Sequence, residues 1–302
     1  MQKKNKCKAL DFLFDIVRGI MIGIAFIIPG FSGGSVAAIL GIYEKLVGAI
    51  ADIFKDFKHS FLTLLPIGIG MIAGIAMLLY PLSWALEAFP IPTVCLFVGL
   101  AIGGLPSIAS KTRGECSFKS ILPFMITLIV ALALALLPVG SDVDLINIGF
   151  GGYLLLILIG LIGSSALVVP GISGSMLLLI LGYYNPLLSL ITDNLLGGSE
   201  LFRAVLALGC TAVGIAIGFF LISMIMKRLL KKYPRTTYLA ILGFIIGSIP
   251  TVFVSTAKEA GITFATLSTS VWHWIASVLL FALGVTVSLL LIVYSNKKGI
   301  KE

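Results

Sequence analysis

IPGFSGGSVAAILGIYEKLVGAI, from Ile28 to Ile50, and VPGISGSMLLLILGYYNPLLSLI, from Val169 to Ile191, are one segment written twice. At an offset of 141, Pro29, Gly30, Ser32, Gly33, Ile39, Leu40, Gly41, Tyr43, Leu46 and Ile50 meet Pro170, Gly171, Ser173, Gly174, Ile180, Leu181, Gly182, Tyr184, Leu187 and Ile191. That is ten identities in 22 positions. Downstream, FPIPTVCLFVGLAIGGLP ends at Pro106 and YPRTTYLAILGFIIGSIP at Pro250, and each closes on Gly-x-x-x-Gly-x-x-Pro. Apolar helices resemble one another by chance, but chance does not put Gly and Pro at the same offsets. The chain reads as a duplicated unit, 12–140 and 150–295.

What surrounds the motifs sets the class. The 302 residues are 59% hydrophobic and 11% charged, with a mean hydropathy of +1.15. A soluble domain carries roughly 25% charged residues, so soluble enzymes, disordered chains and secreted disulfide scaffolds are excluded together. This is the composition of an integral membrane protein. The basic start (Lys3, Lys4, Lys6, Lys8) leads to Asp11, Asp15 and Arg18, which is not the pattern of a cleaved signal peptide. Cys7, Cys95, Cys116 and Cys210 are scattered and indicate neither a metal site nor a disulfide framework. The net charge of +8 is assigned to cytoplasmic loops facing anionic headgroups, not to nucleic acid.

Each unit is expected to hold a broken helix pair and three spans. The first has 19–50, broken at Pro29 to Gly34, then about 61–80, 92–108 and 120–138. The second has 153–191, broken at Pro170 to Ser175, then 204–226, 237–252 and 271–294. A span needs about 20 apolar residues, and pieces such as 19–28 and 35–43 fall short. Loop charge places the broken pairs. If both turn back as re-entrant hairpins, 19 of the 21 Lys and Arg lie inside, and Arg203 and Lys258 lie outside. If both cross, Lys55, Lys58, Lys111, Arg113 and Lys119 break the positive-inside rule. The expected fold is therefore all-α: two inverted-topology repeats, each a re-entrant hairpin plus three transmembrane helices, with both termini cytoplasmic. Inverted repeats with discontinuous helices are the build of alternating-access transporters.

The tips carry the chemistry. Gly30, Phe31, Ser32, Gly33, Gly34 and Ser35 in the first motif, and Gly171, Ile172, Ser173, Gly174 and Ser175 in the second, place helix N-termini near the bilayer centre. Free N–H groups and serine hydroxyls there suit an anion. The plainer alternative is that small residues only permit a tight turn and close packing; two copies in inverted units favour the site. Gly99 with Gly103 and Gly243 with Gly247 read as packing surfaces. Glu44 is a candidate for gating or ion coupling, and Arg18 for steering an anion inward or snorkelling. His273 between Trp272 and Trp274 reads as an aromatic belt, and the run from Lys227 to Arg235 as a topology signal. No catalytic constellation and no cofactor motif is present.

At PGFSGG…GIYEKL and PGISGS…GYYNPL the chain resembles the bacterial polyprenyl-phosphate transporters of the PopT type. The resemblance implies a translocase of the bacterial cytoplasmic membrane that returns undecaprenyl phosphate from the outer to the inner leaflet for cell-wall synthesis, with the headgroup handled at the tips. The residues alone say a transporter with a central anion site. A small-anion channel or an ion-coupled anion transporter fits them as well. Coupling to protons or sodium, and a homo-oligomer, stay open.

Overall fold

The computed structural model describes residues 2–27, 32–114, 118–138, 140–146, 148–191, 201–259 and 271–297. Among them the regular secondary structure is helical: α1 (Gln2–Ile27), α2 (Gly33–Ile39), α3 (Tyr43–Ala51), α4 (Phe57–Ala88), α5 (Pro90–Ser110), α6 (Phe118–Leu136), α7 (Phe150–Val168), α8 (Gly174–Ile180), α9 (Tyr184–Ser189), α10 (Leu201–Lys232), α11 (Pro234–Glu259) and α12 (Val271–Lys297).

Local chemistry sets the boundaries. Asp56 caps α4, its carboxylate accepting the His59 N–H at 3.1 Å. Phe89 and Tyr233 each precede a proline that opens the next helix, Pro90 and Pro234. A proline excludes the residue before it from helical geometry yet suits a first helical position. So α4 passes into α5, and α10 into α11, with a single residue between them.

Both motif copies share one backbone form. The seven-residue helices α2 and α8 follow Ser32 and Ser173 and end at Leu40 and Leu181. Gly41 and Gly182 come next, with φ of +71° and +78°. The Gly41 and Ile42 N–H groups donate to Ala38 and Ala37 at 3.2 and 3.0 Å; Gly182 and Tyr183 donate to Leu179 and Leu178 at 3.1 and 2.9 Å. This is the Schellman stop, in which glycine avoids the left-handed penalty of a β-carbon. The sequence reading places one break in each pair, at Pro29 to Gly34 and at Pro170 to Ser175, and takes 35–43 as one piece, so the stop at Gly41 is a further break; the repeated Leu-Gly is its signal.

The limbs before the breaks are longer than the half-length expected. α1 has 26 residues and α7 has 19. The polar stretch ahead of Gly19 is helical because Lys, Leu and Ala favour helix without being buried, and counting apolar residues alone overlooked it. Among the described residues, five segments are long and apolar enough to cross a membrane: Phe57–Leu78, Pro90–Ser110, Phe150–Val168, Leu201–Lys232 and Val271–Leu290. Six spans were expected. The apolar part of α6 is limited to Ile121–Leu134, and α11, expected to span over 237–252, is not among the five either; α7, expected as one limb of a hairpin, is.

Packing pairs α1 with α4, α7 with α10, α5 with α12 and α6 with α11. A β-carbon on Gly19, Gly70, Gly160, Gly214, Gly99, Gly284 or Gly243 would lie within 2.3 Å of a carbonyl oxygen on the partner helix. These are backbone-to-backbone contacts of the small-residue kind that membrane helices use. The outward faces stay apolar, as with Ile72 and Met77 on α4, Ile129 on α6, Val213 on α10, and Leu279 and Leu290 on α12. Trp84, Phe89 and His273 stack near the α4–α5 corner, with ring centroids 5.9 and 6.0 Å apart.

The main core gathers around α2 and α3. Ile22, Val36, Ile39, Tyr43 and Val47 meet Val168, Met226, Tyr238, Ile241 and Ile245 from the second half. A second core beside α9 joins Leu145, Leu156, Ile159, Tyr183, Leu187, Leu190, Ala204 and Ala207, all beyond residue 140.

Candidate functional site

The two motifs, 141 residues apart in sequence, touch. A β-carbon on Gly34 would come 3.2 Å from the Val168 carbonyl oxygen and 3.3 Å from the Pro170 nitrogen. Ser32 Oγ donates to the Ala166 carbonyl at 3.4 Å, and Tyr43 Oη donates to the Val168 carbonyl at 2.9 Å. The origin of these bonds is local. The Ala166 carbonyl would normally accept from the N–H four residues on, but that residue is Pro170, which has none. Ser32 and Tyr43 therefore cap the end of α7. The contact also accounts for a departure between the copies: position 34 must be small to sit on the second motif, whereas its counterpart is Ser175.

Of the expected site residues, Ser32, Gly33, Gly34 and Ser35 are buried at the start of α2. Ser35 Oγ, in a residue 2% exposed, makes no hydrogen bond. A buried hydroxyl left so costs about 1–3 kcal/mol. Gly33 lies against the Phe26 ring, where a β-carbon would come within 2.8 Å. Gly30 and Phe31 lie outside the described residues, as does the side chain of Ser175. In the second motif, Gly171 takes φ +90° and abuts Phe244, a β-carbon there falling 2.5 Å from the Phe244 carbonyl carbon. Ser173 caps α8, accepting the Met176 N–H at 3.4 Å. Gly171, Ile172 and Ser173 line a small pocket of about 20 Å³ with Met176, Ala131 and Ser248, room for about one water molecule.

Arg18 and Glu44 belong to a charged layer around the start of α3. Asp15, 5% exposed, binds Arg18 at 3.2 Å and Lys45 at 2.5 Å. Glu44 accepts from Tyr238 and pairs with Lys111 at 3.5 Å, while Lys111 also donates to Tyr238 at 3.0 Å and lies 4.9 Å from its ring centroid. Asp52 pairs with Lys227, and Arg235 Nε donates to the Thr112 carbonyl at 2.9 Å. The sequence singled out Glu44 and Arg18 but not Asp15, Lys111 or Tyr238. Partners 67 and 194 residues away from Glu44 leave no one-dimensional signal.

A family model described as VCA0040-like, undecaprenyl phosphate translocase-like, matches residues 22–271, which include both motifs. The chain belongs to this family. A polyprenyl-phosphate transporter of Staphylococcus aureus is 29% identical over 286 residues, covering 92% of this chain and 95% of that protein. A polyprenyl-phosphate transporter of Vibrio cholerae is 26% identical over 263 residues, covering 82% of this chain and 79% of that one. No solved structure matches. With its apolar helices, this member of the undecaprenyl phosphate translocase-like family is a multi-pass membrane protein.

Proposed function

We propose that the chain carries undecaprenyl phosphate from the outer to the cytoplasmic leaflet of the bacterial cytoplasmic membrane, for reuse in peptidoglycan synthesis. The observation that carries this reading is the contact between the two PGxSG motifs. It brings Ser32 and Gly34 against the segment Ala166 to Pro170 that leads into Ser173, with the orphan hydroxyl of Ser35 the next residue along. A phosphate there would meet hydroxyls and the free N–H groups of two chain breaks. Taking a charged headgroup out of water costs of order 20 kcal/mol in the Born limit, so fixed donors at membrane depth are what such a lipid requires. The repeats 12–140 and 150–295 would be inverted, with hairpins entering from opposite faces and both termini cytoplasmic. One unit would rock against the other to expose the headgroup alternately. The relatives are named polyprenyl-phosphate transporters, which supports the substrate class.

The test is binding of undecaprenyl phosphate to the protein in nanodiscs, with chloride, inorganic phosphate and a neutral polyprenol as competitors. Binding that the neutral lipid and small anions fail to displace is expected, weakened about tenfold by Ser35→Ala through one lost charge-assisted bond. Gly33→Val is a poorer probe, since its side chain must also displace Phe26. Binding of chloride or inorganic phosphate with indifference to the lipid would replace this reading with a small-anion channel or an ion-coupled anion transporter.

A further inference from the structure

Tyr43 and Tyr184 hold one position in the two motif copies, each the first residue of the helix after a Schellman glycine. Their surroundings are opposite. Tyr43 is 1% exposed, with its hydroxyl on the Val168 carbonyl; Tyr184 is 36% exposed. The acceptors that would serve the second motif exist in the first. Subtracting 141 from Ala166, Val168 and Pro170 gives Ala25, Ile27 and Pro29, so Pro29 denies the Ala25 carbonyl its helical N–H just as Pro170 does at Ala166. Of the two tyrosines, Tyr43 makes the crossing bond and Tyr184 stands exposed.

We propose that Tyr43 is a positioning residue that latches this conformation, and that Tyr184 latches the opposite one on the Ile27 carbonyl. This rests on the two-sided transport reading above. When the units rock, Tyr43 leaves Val168 and the end of α7 loses its cap, while the end of α1 gains one from Tyr184. The exchange conserves hydrogen bonds between the end states, which keeps them close in free energy, as alternation in both directions requires. Each latch is one buried hydroxyl–carbonyl bond, so removing it shifts the population roughly threefold to tenfold.

The experiment introduces Ser248→Cys, beside Ser173 in its pocket, into a chain whose Cys7, Cys95, Cys116 and Cys210 are replaced by serine. A membrane-impermeant maleimide is applied separately to each face of oriented vesicles, and the ratio of the two labelling rates is read. Tyr43→Phe is expected to move the ratio toward one face by roughly threefold to tenfold, Tyr184→Phe toward the other, and the double variant back to the parent value. Shifts in the same direction, or no shift from either, would overturn the latch. A merely structural tyrosine would slow both faces alike and leave the ratio unchanged. If Tyr43→Phe does not fold, the exposed Tyr184→Phe decides alone, and an unmoved ratio overturns the proposal. Labelling needs no lipid, so absence of undecaprenyl phosphate binding with ratios that still move apart would remove the phosphate reading and keep the latch.

Discussion

The first motif segment is buried more completely than the second. α2 is buried along its whole length, whereas Tyr184, Leu181 and Leu188 around α8 and α9 stay exposed. Where the first motif carries Glu44 and Lys45, tied to Tyr238, Lys111 and Asp15, the second carries Asn185, whose exposed amide donates to Asp142 at 3.2 Å. The backbones agree down to the Schellman bonds. The shared residues therefore specify a backbone shape, and the residues that differ decide how deeply that shape is buried.

The sharpest way to break the comparison is at the turn glycines. Gly171→Ala forces a β-carbon into Phe244 at positive φ, and a loss of about 3 kcal/mol or more is expected. Gly174→Ala, three residues on, meets only ordinary contact at 3.4 Å from Gly163 and should melt within ~0.5 kcal/mol of the parent. Thermal unfolding of the two proteins in detergent reads the difference. Equal melting would mean that the second turn is not held against α11.

Next comes the buried carboxylate. Asp15→Asn leaves Arg18 and Lys45 without their counter-charge, and the expected cost is about 3 kcal/mol. Asn185→Ala in the second hairpin should cost less than ~0.5 kcal/mol, because its pair with Asp142 is exposed. Denaturation by urea of the reconstituted proteins measures both, and a costly Asn185→Ala would erase the asymmetry.

Ser35→Ala should act in the other direction. Removing a buried hydroxyl that has no partner is expected to raise the melting temperature of the lipid-free protein, by the equivalent of about 1 kcal/mol. A drop on melting would show that Ser35 already has a structural partner. Smallest of all is Glu44→Gln, which weakens a half-exposed pair with Lys111 and keeps the Tyr238 bond; at most ~1 kcal/mol is expected, fading in high salt. A larger, salt-independent loss would mark Glu44 as part of the buried lock rather than its rim.

Much of the fold was legible because membrane helices advertise themselves. Long apolar runs, Pro at helix starts and Gly at helix stops act within a few residues, and the spans around 61–80, 92–108, 204–226 and 271–294 all fall inside single helices. The misses also have local reasons. A helix continues into polar sequence ahead of Gly19, which hydropathy does not register, and Gly41 ends a helix inside a stretch that is apolar on both sides.

What the sequence by itself determined is the motif written twice, the membrane class and the helix break at each PGxSG copy, since proline, glycine and apolar length act through bonds and neighbours along the chain. What only the tertiary structure decided is that the two breaks meet, that Tyr43 and not Tyr184 crosses between them, and that Glu44 is held by Lys111 and Tyr238. Those contacts join residues 67 to 194 positions apart. Their energy depends on which helix faces pack together, and no local pattern encodes that.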